Sequence, residues 1–135
     1  MEKDQMNAAE TTPRAAEAAS MGAAFDASEM LGNVAGSRHI ATVMLKRLVS
    51  HMPLRMRELE NALASSDAQR ARREAHTIKS LAAYGGAAPL RQCALRLEQL
   101  CQQGLLAQAA DGLPELQVQI ERTIPEWQAF LDQAK

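Results

Sequence analysis

The sequence predicts an all-α fold, an antiparallel helical bundle. Three observations carry that reading. The composition is rich in Ala, Leu, Gln, Glu and Arg, and only 3% of residues are aromatic, which favours helix over strand. Apolar residues recur at spacings of three and four along most of the chain. The segments so marked are joined by short turns, which makes successive helices antiparallel neighbours. A length of 135 residues is one domain's worth of chain, enough for a single core.

Residues 1–23 hold Ala, Glu, Thr, Gln and Met around Pro13, with little that is large to bury. They read as a flexible N-terminal tail, and residues 24–135 as the bundle domain. The first helix starts after Asp26. Its side chain can cap and Glu29 can return the bond, with Phe25 and Met30 placed as a hydrophobic staple. Met30, Leu31 and Val34 form the apolar face, and Gly36 ends the helix. Ser37 caps a long second pattern, Ile40, Val43, Met44, Leu48, Met52, Met56, Leu59 and Leu63. Pro53 lies inside it and predicts a kink near His51–Met52, or two abutting helices.

Ser65-Ser66-Asp67 is the next turn, with Asp67 as cap. The third helix covers about 68–84 and stops at Gly85-Gly86. At about 100° per residue, Ala71, Ala75, Ile78, Ala82 and Gly85 fall in one buried sector. His76 points away from that sector and is expected to be exposed without a buried partner. Gln69, Arg72, Arg73, Lys79, Ser80 and Ala83 share its side. Pro89 opens a fourth helix whose stripe is Leu90, Cys93, Ala94, Leu97, Leu100 and Cys101, ending near Gly104. Residues 105–112 read as a loose connection. Pro114 opens a last helix with Leu116, Ile120, Ile124, Trp127 and Leu131 inward, which Pro125 should bend or split.

Several function classes are disfavoured at this stage. Fifteen basic and sixteen acidic residues nearly cancel, so no global field draws the chain to nucleic acid or to a membrane surface. No apolar run is long enough to span a bilayer, and no signal-peptide pattern is seen. The expected location is the cytoplasm. Cys93 and Cys101 lie too far apart on one helix for a disulfide and read as small core residues. No histidine is spaced to complete a metal site, so no metal is expected. His39 and His51 read as surface or boundary residues. A Cys–His nucleophile is rejected because the cysteines face inward and His76 outward.

His76 is the one side chain with a chemical context. An exposed neutral imidazole is a competent nucleophile toward an acyl phosphate. Lys79 lies one turn on, on the same side, where an ammonium can offset a phosphoryl charge. Ser80 and Ala83 are small enough to let a protein partner approach the ring.

The segment Ala75-His76-Thr77-Ile78-Lys79, with Gly86-Ala87 and then Leu90, Cys93, Leu97 and Glu98 downstream, resembles the histidine phosphotransfer (HPt) domain signature. The lead-in is similar too: Phe25-Asp26, Met30-Leu31, Val34, Gly36, a long helix containing Pro53, and Leu59 and Leu63 before Asp67. The resemblance spans roughly residues 25–131. It implies an antiparallel four-helix bundle with a short additional N-terminal helix. It implies a relay in which a phosphoryl group passes from one response-regulator receiver aspartate to another through a histidine. On that reading His76 is the phosphoacceptor and Lys79 its counter-charge. Gln69, Arg72, Arg73, Ser80, Ala83 and Gly86 become partner-docking residues. The partners would be receiver domains or a hybrid sensor kinase, and the chain a monomer. Mg²⁺ would be expected on the receiver, with no cofactor held here. The chain has no Gly-rich loop to bind ATP, so it should not phosphorylate itself. Two positions depart from the family pattern: Ser80 stands where Gly is frequent, and Leu81 where Ser is frequent. The competing readings are an adaptor that docks receivers or kinases without carrying phosphate, the phosphoacceptor domain of a chemotaxis-type kinase, and a basic-patch nucleic-acid binder.

Overall fold

A computed structural model describes residues 23–133. The tail expected over residues 1–23 therefore lies outside the described residues, apart from Ala23. The described chain is helical throughout: α1 (Ala27–Asn33), α2 (Arg38–Ala64), α3 (Ala68–Tyr84), α4 (Ala88–Gln102), α5 (Leu106–Asp111) and α6 (Leu113–Gln133). The four long helices close a ring. α3 packs on α2 and on α4, and α6 completes the ring against both α2 and α4. The architecture is the antiparallel bundle that the sequence predicts, with α1 as the short additional helix.

The caps follow the sequence. Asp26, Ser37 and Asp67 each accept a hydrogen bond from the backbone N–H three residues on, at 3.0, 3.1 and 3.0 Å, which satisfies one orphan donor of each helix start. The reciprocal bond expected from Glu29 is replaced. The Asp26 N–H donates to the Gly86 carbonyl at 2.8 Å, tying α1 to the end of α3. Phe25 stands edge-on to Phe130, ring centroids 6.0 Å apart, so its packing partner lies on α6.

Two expectations are corrected and one alternative is closed. First, the buried face of α2 begins with Ala41, Leu45 and Leu48 and runs into Met52, Met56, Leu59 and Leu63. Ile40 and Val43 are about half exposed, at 52% and 48%. At about 100° per residue they lie well off the stripe that Ala41 and Leu45 continue. Large side chains drew the eye where a small one, Ala41, does the packing. Second, of the bend and the split that the sequence left open at each proline, the split does not occur. Pro53 and Pro125 both lie inside single helices with their rings exposed. Buried residues on both sides of each proline hold the two halves to the same neighbours, and that packing outweighs one lost hydrogen bond. Third, the connection at 105–112 contains α5, with Ala109 buried. One turn and a half is too short to show a period.

The end of α3 is tied to both α1 and α6. The Trp127 indole N–H donates to the Gly85 carbonyl at 2.9 Å. The Asn33 amide donates to the carbonyls of Ala83 and Tyr84 at 3.0 and 3.1 Å. The carbonyls of Ala83 and Tyr84, at the end of α3 where a helix leaves them unpaired, and of Gly85 just after it thus find partners on α1 and α6. Gly86 turns the chain at φ +69°, and a Cβ there would stand 2.5 Å from the Asp26 carbonyl oxygen. Gly86→Ala should therefore cost roughly 2 kcal/mol or more, from the left-handed backbone and the overpacking together. Urea unfolding of the two proteins measures it.

Candidate functional site

The site is built where α3 meets α4. The inner face of α3 is Ala71, Ala75, Ile78 and Ala82, all fully buried. Three of the four are alanines, so α4 comes close to the α3 backbone. Across that contact α4 buries Leu90, Cys93, Ala94, Leu97, Glu98 and Cys101. One of these six is a carboxylate. Its side chain retains only 10% exposure, and a charge so placed must be paired.

Glu98 is paired twice. Its Oε2 lies 2.8 Å from His76 Nδ1 and its Oε1 lies 2.7 Å from Lys79 Nζ. Burial alone would raise the Glu98 carboxyl. The hydrogen bonds from Lys79 and His76, with their charges, overcome that and hold it below its ordinary value of 4.5. Glu98 is therefore an ionised acceptor at neutral pH. An ionised carboxylate can only accept, so Nδ1 must be the donor. The neutral ring then carries its lone pair on Nε2. The His76 side chain is 54% exposed, as the sequence predicts, while Nδ1 is anchored.

This overturns the expectation that His76 needs no buried partner. It also refines Lys79, whose side chain is 26% exposed and whose charge is already engaged by Glu98. The signal for Glu98 was in the sequence. Residue 98 falls between Ala94 and Cys101 at helical spacing, so it is an acid inside the apolar stripe of α4.

The remaining predicted residues divide. Gln69 and Arg73 are exposed, and Arg72, Ser80 and Ala83 are half-buried, all on the side of His76. Gly86 is not on that surface. It is buried under α1 with its carbonyl taken by Asp26. It shapes the end of α3 and cannot touch a docking partner. Arg70 and Glu74 point to α2, where they pair with Glu58 and Arg55. His39 and His51 are exposed, as expected. Cys93 is buried and its thiol is pushed up to about 11 by that burial, against a lowering from Arg96; burial raises Cys101 too. Both thiols are protonated at neutral pH and poor nucleophiles. Among the described residues no group of three or more His, Cys, Asp or Glu is placed to hold a metal ion, and no helix is long and apolar enough to cross a membrane.

A family model, the Hpt domain, matches residues 43–134. That span is most of the chain and contains both α3 and α4 with His76, Lys79 and Glu98. The chain belongs to the Hpt domain family. No curated protein and no solved structure matches it. Membership gives this Hpt domain a phosphotransfer-type function in phosphorelays, and Hpt domains in general interact with receiver and kinase domains.

The pairing of Glu98 makes a pH prediction for this Hpt domain. Its folded pKa is depressed, so its stabilising contribution is present above 4.5 and is lost as pH falls through the lower folded value. Glu98→Gln should lower stability at pH 7 by about 1–2 kcal/mol. That gap should close as pH drops below 4.5, which chemical denaturation over a pH series measures.

Proposed function

We propose that this Hpt domain relays a phosphoryl group between receiver-domain aspartates through Nε2 of His76. The observation that carries the reading is the Nδ1–Glu98 bond at 2.8 Å on a ring that is otherwise open to a partner. It supplies the nucleophile in the required tautomer and holds the ring still.

In the forward step the Nε2 lone pair attacks the phosphorus of an aspartyl phosphate in line. The N–P bond forms as the P–O bond to the aspartate breaks, and the electron pair leaves with the regenerated carboxylate. The ring keeps its Nδ1 proton and gains positive charge, which Glu98 already faces. No proton has to move. In the second step a carboxylate of another receiver attacks the phosphorus and the imidazole leaves neutral. Such transfer is mainly positioning and charge stabilisation. This chain contributes the oriented ring, the Glu98 counter-charge and an ammonium at Lys79. The receiver brings the acidic pocket and its Mg²⁺. Arg72 and Arg73 suit an approaching acidic surface and raise the association rate. The same reading takes the chain as a cytoplasmic monomer: both thiols are free and the ring of helices closes on itself.

The test is phosphate transfer from a phosphorylated receiver domain, read by intact mass and by acid lability of the adduct. His76→Gln should abolish incorporation. Glu98→Ala should slow it by roughly tenfold to a hundredfold, the cost of a ring free to rotate. Lys79→Ala should slow it by about tenfold. Full incorporation in His76→Gln would leave the adaptor reading in its place.

A further inference from the structure

Two hydroxyls stand near the imidazole on α3, and they are in different states. Thr77 donates to the Arg73 carbonyl at 3.0 Å. Thr42, Ser50 and Thr123 do likewise, each bonding back to a carbonyl three or four residues earlier. Such back-bonding is a common outlet for a hydroxyl inside a helix. Ser80 is different. Among the Ser and Thr residues beyond the first turn of a described helix, it alone leaves its hydroxyl without a protein partner. Ser80 is half-buried and lines an open hollow on the outer side of α3 with Asn33, Ala83 and Tyr84. Its hydroxyl is thus open to approach from outside the bundle, with its proton uncommitted.

The helix sets its place relative to His76. Residue 80 follows residue 76 by four, so the two Cβ atoms stand about 5–6 Å apart on one face. At about 100° per residue, Lys79 and Ser80 fall on opposite flanks of His76. Lys79 is on the α4 flank, where its Nζ meets Glu98 at 2.7 Å. Ser80 is on the other. The ring divides in the same way. Nδ1 is turned to Glu98 at 2.8 Å, and the Cδ2–Nε2 edge of an imidazole lies across the ring from Nδ1. Nε2 therefore faces away from α4, toward the flank that holds Ser80. A group on Nε2 has Lys79, already engaged by Glu98, on one flank and an uncommitted hydroxyl on the other.

We infer that Ser80 donates a hydrogen bond to a non-bridging oxygen of the phosphoryl group carried on Nε2. The inference rests on the reading of His76 as phosphoacceptor. The hydroxyl keeps its proton throughout, and the bonds made and broken at phosphorus are those of the relay. Phosphoryl oxygens are anionic, so the hydrogen bond is charge-assisted. It exists only while phosphate is on the ring. It therefore stabilises the phosphorylated chain relative to the unphosphorylated one.

That consequence separates Ser80 from a docking residue. A contact made only in the complex of the two domains changes forward and reverse transfer rates together and cancels from the equilibrium constant. A hydrogen bond to the phosphoryl group does not cancel. The receiver used is the one, from a panel of purified receivers, that loads the wild-type chain fastest. Equilibrium is approached from both directions, from phosphorylated receiver and from phosphorylated His76, and read by the intact mass of both proteins. Ser80→Ala removes the hydroxyl and leaves a better helix former, so urea unfolding of the unphosphorylated variant should show no loss of stability. The constant for loading His76 should fall by about threefold to tenfold. A constant within about twofold of wild type overturns the role of Ser80, whether or not both rates fall, and leaves His76 as acceptor. Phosphoramidate, a small donor that transfers phosphate to an imidazole with release of ammonia, tests the acceptor alone. Failure of phosphoramidate and every receiver to label wild-type His76 overturns the relay reading and this inference with it.

Discussion

A carboxylate buried between two helices sets the terms for the rest of this molecule. Glu98 is one of six inward residues on α4, and its neighbours in the stripe are aliphatic, small or sulfur-bearing. Leaving it unpaired there would cost several kcal/mol. The two groups that answer it, His76 Nδ1 and Lys79 Nζ, come from successive turns of α3. They reach it only because α3 presents alanines to α4. A larger residue at Ala75 or Ala82 would push the helices apart and open both contacts. The small inner face of α3 and the anchored ring thus go together.

Anchoring at one end would be useless if the helix could slide. The other end of α3 is held by Trp127 from α6 and by Asn33 and Asp26 from the α1 region. Glu126, beside Trp127, takes the N–H groups of Ala24 and Phe25 at 3.0 and 3.1 Å, so the start of the described chain is strapped to the same helix. The helix that carries the imidazole is fixed in height by these bonds and in rotation by its buried stripe. Sites mounted on such elements keep their geometry better than sites on loops. The outer side of the helix, with His76, stays exposed.

Much of this was legible in the sequence, for reasons that can be located. The caps at Asp26, Ser37 and Asp67 were readable because capping is local chemistry. The inner face of α3 was readable because its alanines and Ile78 repeat cleanly. His76 followed as the residue left outside. The first half of α2 misled because Ile40 and Val43 are large and lie on the surface, while Ala41 is small and buried. At the prolines the sequence left a bend and a split open, and packing on both sides keeps each helix in one piece. Glu98 was seen as part of a motif and its task was missed. Its partner sits 22 residues away on another helix, and no local period encodes that contact. The tie of Gly86 to Asp26 was hidden in the same way, which is why Gly86 looked like surface.

The account stands or falls on the state of one ring. Glu98 fixes Nδ1 as the donor, and the proposed relay then makes Nε2 the nucleophile. The direct test is two-dimensional ¹H–¹⁵N NMR of the imidazole nitrogens of His76 in the unphosphorylated protein, at a pH where the ring is neutral. The account predicts that the proton resides on Nδ1, with Nε2 showing the shift of an unprotonated nitrogen, and that Glu98→Ala abolishes this preference. A neutral ring protonated at Nε2 in the wild-type protein would contradict it.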